Sequence, residues 1–229
     1  MKFDIRFCGD CAVTVVFPQE ISPEVNRAVC GFAARFADMA LPGIIELVPT
    51  YSAVTIHYDP MQLDPDQLVS AIEAAGAESG EGAAQEGETV VIPVLYGGEH
   101  GPDLENVCQH NGLTPEEVIT IHSGREYLIY MLGFTPGFPY MGGMDERIAT
   151  PRLKTPRTAI PAGSVGIAGA QTGVYPIQSP GGWQLIGRTP LKLFDMDRAE
   201  PFLLKAGQKV IFKPITQEEY EAIERGEAV

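Results

Sequence analysis

The chain has 229 residues, 45% of them apolar and 20% charged, with a formal charge of −14. That length and mix fit one large or two small soluble domains with a real core. Such acidity argues against unaided binding to nucleic acid or an anionic membrane, where a basic footprint supplies affinity. No apolar run reaches the ~18 residues of a spanning helix. The opening MKFDIRFCGD lacks the apolar segment of a secretory signal, so the cytoplasm is the expected compartment.

In chain order, alternating residues predict strands over about 3–8 and 12–17. Cys8-Gly-Asp-Cys11 has the spacing of a redox pair, but it sits between strands, not at a helix start where the dipole would activate a thiol. Gly9-Asp10 therefore reads as a two-residue hairpin turn flanked by the cysteines. A helix follows over about 23–40, with Ser22 as cap, Pro23 at its first position, and Val25, Ala28, Val29, Phe32, Phe36 and Met39 on one stripe. Strands Ile44–Val48 and Ala53–Tyr58 lead to a second helix that starts at Asp64-Pro65-Asp66-Gln67 and ends near Gly76. Two helices on one face of an antiparallel sheet make residues 1–76 a small α+β domain, a two-layer α/β sandwich. Residues 77–88, AESGEGAAQEGE, hold four glutamates and no large apolar side chain, the composition of a linker.

Residues 89–229 read as a mainly β domain. Thr89–Val94 and Arg125–Leu132 have strand composition, and helices are expected at Asp103–His110 and from Thr114, where Thr-Pro-Glu-Glu forms a capping box. Leu191–Phe194 and Gln208–Lys213 are expected as short strands, and Thr216 caps a last helix ending near Gly226. Between Gly133 and Pro190, 19 of 58 residues are Gly or Pro. Helix cannot run through that spacing. Yet Phe134, Phe138, Tyr140, Tyr175 and Trp183 are interleaved, so the segment is not disordered. It is also locally basic, with Arg147, Arg152, Lys154, Arg157 and Arg188 against Asp145 and Glu146. Short strands between such turns suggest a barrel or sandwich. A stiff cationic surface on an acidic chain reads as a concavity for a small anion, or as a face for a partner protein.

Individual residues carry alternatives. Gly182–Thr189, ending in Arg188, imitates a phosphate-binding loop, but Trp-Gln-Leu-Ile inside it is strand-like, so that motif is not expected to form. Ser164 lacks the frame of a nucleophile elbow; it reads as a turn serine or as a hydroxyl that holds a substrate carboxylate or phosphate. His122 ends a helix, where the dipole favours it, or serves in substrate bonding and proton transfer at the mouth of the β domain. Arg157 on Thr-Pro-Arg-Thr offers a planar fork suited to carboxylate or phosphate. No Cys/His spacing points to zinc.

Four blocks in order, YGGEHGPDLE (96–105), YMLGFTPGFPYMGGM (130–144), TPRTAIPAGSVGIAGAQTGVYP (155–176) and SPGGWQLIGRTP (179–190), resemble a known family. It is that of the 5-oxoprolinase B subunit (PxpB), KipI and allophanate hydrolase subunit 1. The resemblance implies a cyclophilin-like β-barrel behind the small α+β domain. It implies partnership with a homologous C subunit and with an A subunit, to open 5-oxoproline to glutamate at the expense of ATP. This chain would be inactive alone, and ATP would act at the level of the complex. Alternatives in the same family are a KipI-type inhibitor of a sensor histidine kinase and half of a biotin-dependent urea or amide carboxyltransferase. The matching site positions are His122 for catalysis, and Arg157, Ser164, Gln171, Tyr175, Trp183 and Arg188 for substrate or phosphate, with Phe134 and Phe138 as walls.

Overall fold

The computed structural model describes residues 1–20, 22–77 and 88–227. The chain divides into two compact units, Met1–Glu86 and Gly87–Val229. The linker expected over residues 77–88 lies, apart from its two ends, outside the described residues.

The first unit is a four-stranded antiparallel sheet in the order β1-β2-β4-β3, from β1 (Asp4–Phe7), β2 (Ala12–Val16), β3 (Ile44–Pro49) and β4 (Ala53–Tyr58). Helices α1 (Pro23–Asp38) and α2 (Pro65–Ala77) complete it. The Ser22 side chain accepts from the Val25 N–H at 3.2 Å, with Pro23 inside the first turn. Val25, Val29, Phe32 and Phe36 from α1 meet Val13, Val15, Val54 and Ile56 in one core. Each such side chain contributes about 1.5–3 kcal/mol by leaving water. On the opposite face Thr14 and Thr55 share a 3.0 Å hydrogen bond. The β1–β2 connection differs from expectation. Cys8 N–H closes on Ala12 C=O at 2.9 Å, so the loop takes Gly9, Asp10 and Cys11, with Gly9 at φ +73°. One extra residue is what a left-handed glycine accommodates in a three-residue hairpin loop. All four cysteines are free.

The second unit carries a seven-stranded sheet in the order β10-β9-β12-β5-β13-β6-β7. Its strands are β5 (Thr89–Tyr96), β6 (Glu126–Leu132), β7 (Pro139–Gly142), β9 (Ser164–Ala168), β10 (Gln171–Val174), β12 (Gln184–Arg188) and β13 (Lys209–Pro214). Among the described strands of this sheet only β13 and β5 pair in parallel. The end strands β10 and β7 pack side by side, so the sheet is a nearly closed barrel. A separate ribbon pairs β8 (Arg157–Ile160) with β11 (Ser179–Gly181). Both β9 and β12 are buried almost throughout, as strands covered on two faces must be. Helices α3 (Leu104–Asn111), α4 (Pro115–Ser123) and α5 (Gln217–Glu224) follow their sequence signals. Thr114 with Glu117, and Thr216 with Glu219, form reciprocal capping boxes.

Leu191–Phe194 is not a strand. Pro190 ends β12, and beyond it Phe194 makes only an isolated bridge to Phe202. Among the described residues no helix is long and apolar enough to cross a membrane.

Close backbone approach sets α3 on the barrel. Gly97 N–H donates to Ile186 C=O at 3.0 Å and Asp103 N–H to Leu185 C=O at 2.8 Å. A Cβ on Gly101 would overlap the Ile186 carbonyl, which cannot rotate away. Gly101→Ala is therefore expected to cost about 1–3 kcal/mol, measured as a lowered urea midpoint; an unchanged midpoint would show that α3 is not seated this tightly.

Candidate functional site

Strand alternation assigns the sequence candidates to faces. In the β9–β10 pair, Gly166 faces Gly173 and Ala168 faces Gln171, so Ser164, Gly166, Ala168, Gln171, Gly173 and Tyr175 share one side of the sheet. On that side Phe138, Ile160, Ala168, Tyr175, Trp183 and Leu185 form their own apolar cluster, with Tyr140 against it. The rings meet edge to face: Phe138 lies 5.6 Å from Trp183 and 5.5 Å from Tyr175. Glycine makes room for them. A Cβ at Gly173 would come within 2.9 Å of Phe138 and 3.1 Å of Trp183.

The expected aromatic-lined hollow is thus corrected in part. Phe138, Tyr175 and Trp183 are 2%, 1% and 6% exposed and seal against one another. What reaches solvent is the rim. Phe134 is 64% exposed and packs at 5.7 Å on Phe138, with its backbone at φ +64°. Left-handed backbone is costly for a large side chain, and such strain gathers at functional sites. Tyr140, 5.2 Å from Phe138, and Gln171, opposite Ala168 of the cluster, are half-buried on the same face. Arg152, not singled out from sequence, sets its guanidinium 5.9 Å over the Trp183 ring.

Arg157 does not reach into a pocket. Its two terminal nitrogens donate to both carboxylate oxygens of Asp103 at 2.9 and 2.8 Å. Asp103 Oδ2 also accepts the Leu185 N–H at 2.7 Å. One carboxylate therefore ties together the start of α3, the β8–β11 ribbon and β12. The pair is 54 residues apart in sequence. The available signal was an acid at the helix start in Gly-Pro-Asp-Leu-Glu, which names no partner.

His122 lies in the barrel core, not at its mouth, and is 0% exposed. Its ring stacks 4.6 Å from Phe212. Thr172 hydroxyl donates to Gly166 C=O at 3.1 Å, so it accepts from His122 Nε2–H at 2.8 Å, and Nδ1 accepts from Tyr96 O–H at 2.8 Å. Burial lowers its pKa to about 3, which removes it from proton transfer near neutral pH. Ser164 is 2% exposed, so its hydroxyl is closed to substrate. Arg188 pairs with Ser164 across β9 and β12 and donates its Nε–H to Ala162 C=O at 2.8 Å, away from the aromatic rim. The Gly182–Thr189 stretch is largely β12, its backbone committed to the sheet and not to a phosphate. No cluster of three or more metal-ligating side chains occurs among the described residues.

Two outcomes are expected. Removing one member of a buried ion pair costs about 3–5 kcal/mol. The Asp103 side chain is 5% exposed and that of Arg157 30%, so Arg157→Met, which strands the deeper charge, should lower the urea midpoint more than Asp103→Asn; the reverse order would contradict this. For His122, the unfolded chain takes up a proton below about pH 6.5 while the folded ring stays neutral down to about 3. Stability should fall by about 1.4 kcal/mol per pH unit across that window. His122→Gln should flatten that slope, and an unchanged slope would contradict the assignment.

Residues 3–204 match the family described as carboxyltransferase domain, subdomain C and D. The 5-oxoprolinase B subunit of Bacillus subtilis (strain 168) is 47% identical over 232 residues, covering 97% of each chain. That of Escherichia coli O157:H7 is 43% identical, covering 90% of this chain and 93% of its own. Among solved structures, TTHA0988 superposes with a TM-score of 0.79 at 35% identity over 90% of this chain, which spans only 40% of that longer one. The chain belongs to the carboxyltransferase subdomain C and D family and, within it, to the group of 5-oxoprolinase B subunits.

Proposed function

We propose that this chain is the B subunit of a cytoplasmic 5-oxoprolinase, inactive alone, which joins homologous C and further A subunits to open 5-oxoproline to glutamate with ATP. The observation that carries this reading is identity at 47% over 97% of the chain, through both units, with a 5-oxoprolinase B subunit. The chemistry is consistent with a shared site. A lactam carbonyl is a poor electrophile; transfer of the ATP γ-phosphoryl to its oxygen releases ADP and installs a leaving group. Water then adds at the ring carbon and the ring C–N bond breaks, the nitrogen leaving as the free amine and the carbon staying as an acyl phosphate. A second water hydrolyses that acyl phosphate to the carboxylate and free phosphate. Such a sequence depends on positioning and on neutralising phosphate charge. On this chain the exposed rim of the aromatic face, Phe134 with Tyr140, Gln171 and Arg152, is the surface we assign to substrate, with the remaining groups supplied by the C subunit. Arg157 serves as scaffold. The barrel is read as cyclophilin-like, and the two compact units as two domains joined near residues 77–88.

Purified chain mixed with 5-oxoproline and ATP should yield no glutamate, and addition of the C and A subunits should yield glutamate and ADP together. If the complete mixture leaves 5-oxoproline intact, the reading fails. Phe134→Gly relieves a strain of about 1–3 kcal/mol, so stability should hold or rise while kcat/KM of the complex drops at least about tenfold. Full activity in that variant would remove the rim from the site.

A further inference from the structure

A second concavity lies away from the aromatic rim, at the Arg188 end of the second unit. It encloses about 660 Å³, within the range of small-molecule sites. One wall is α5, which presents Tyr220, Ile223 and Glu224 at helical spacing, with Gly226 just beyond it. The other is Ala162-Gly163, Pro176 and the run Arg188–Lys192. The chemistry of the lining is two-signed. Arg188 is held by its Nε–H bond to the Ala162 carbonyl, which orients the guanidinium; among the described residues its two terminal nitrogens make no further hydrogen bond and face the groove. Lys192 adds a second cation, paired at 3.6 Å with Asp195. Facing them, Glu224 brings a carboxylate on the helix wall.

A simple anion would be attracted by Arg188 and Lys192 and repelled by Glu224. A ligand with a carboxylate and an ammonium on neighbouring atoms satisfies both walls, because a guanidinium fork matches a carboxylate and Glu224 matches the ammonium. We propose that this groove binds a free α-amino acid, its carboxylate on Arg188 and Lys192 and its ammonium on Glu224. The groove shares no residue with the aromatic rim and needs no second chain.

The isolated full-length chain can be titrated calorimetrically with L-glutamate, N-acetyl-L-glutamate and inorganic phosphate. Saturable binding of L-glutamate is expected, with N-acetyl-L-glutamate and phosphate at least about tenfold weaker. Arg188→Ala and Glu224→Gln should each weaken L-glutamate at least about tenfold. Glu224 is exposed, so its variant should melt as the parent does and carries the test should Arg188→Ala fail to fold. No saturable binding, equal affinity for the N-acetyl compound or phosphate, or parental affinity in the Glu224→Gln variant would each overturn the proposal. The outcome is independent of oxoprolinase turnover, which requires the other subunits and ATP.

Discussion

The second unit turns on one buried carboxylate. Asp103 accepts two hydrogen bonds from the Arg157 fork, one from the Leu185 N–H and a long one of 3.5 Å from the Asn106 side-chain amide, while its own N–H returns to the Leu185 carbonyl. A carboxylate this deep is tolerable only when its lone pairs are filled. Arg157 pairs opposite Gly181 in the β8–β11 ribbon, and Leu185 sits two residues past Trp183 on β12. The ion pair therefore fixes the ribbon against the barrel strand that carries the aromatic cluster. Tyr175 is buried as a consequence, with its hydroxyl against the ribbon residue Gly181.

With that face held, the distribution of polarity makes sense for a protein that shares its site with a partner. The aromatic rings pack together and leave a narrow rim of one strained phenylalanine, half-buried polar groups and the Arg152 guanidinium. On the function proposed above, such a rim would position a ligand against one wall and leave the rest open to another chain. The buried His122, bonded at both nitrogens, belongs to the rigidity of the barrel. The resources for function lie on edges and loops, and those for stability in satisfied buried networks.

The sequence made local structure legible where the cause was local. Ser22, Thr114 and Thr216 cap helices because a side-chain oxygen a few residues away meets free N–H groups, a relation contained in the spacing itself. Alternation located β4 for the same reason. Four ordered motif blocks placed the chain in its family. What sequence could not supply was the partner of each long-range contact. Arg157 looked like a ligand-binding fork because Asp103 lies 54 residues away. His122 looked accessible because the closing strands that bury it come later in the chain. Leu191–Phe194 has strand composition, but its pairing is confined to the Phe194–Phe202 bridge and the two flanking backbone bonds, Leu203 N–H to Leu193 C=O and Asp195 N–H to Pro201 C=O, too short a ladder for a strand. The groove beneath α5 assembles segments from residues 162 to 226 and has no linear signature.

Trp183 is the only tryptophan, so its emission reports on this face without labelling. Loosening the Asp103–Arg157 tie by Arg157→Met, in conditions where the chain stays folded by far-ultraviolet circular dichroism, should shift Trp183 emission to the red and open it to acrylamide quenching. A parental spectrum and parental quenching in that folded variant would mean that the aromatic face stands without the clamp, and would contradict the central claim.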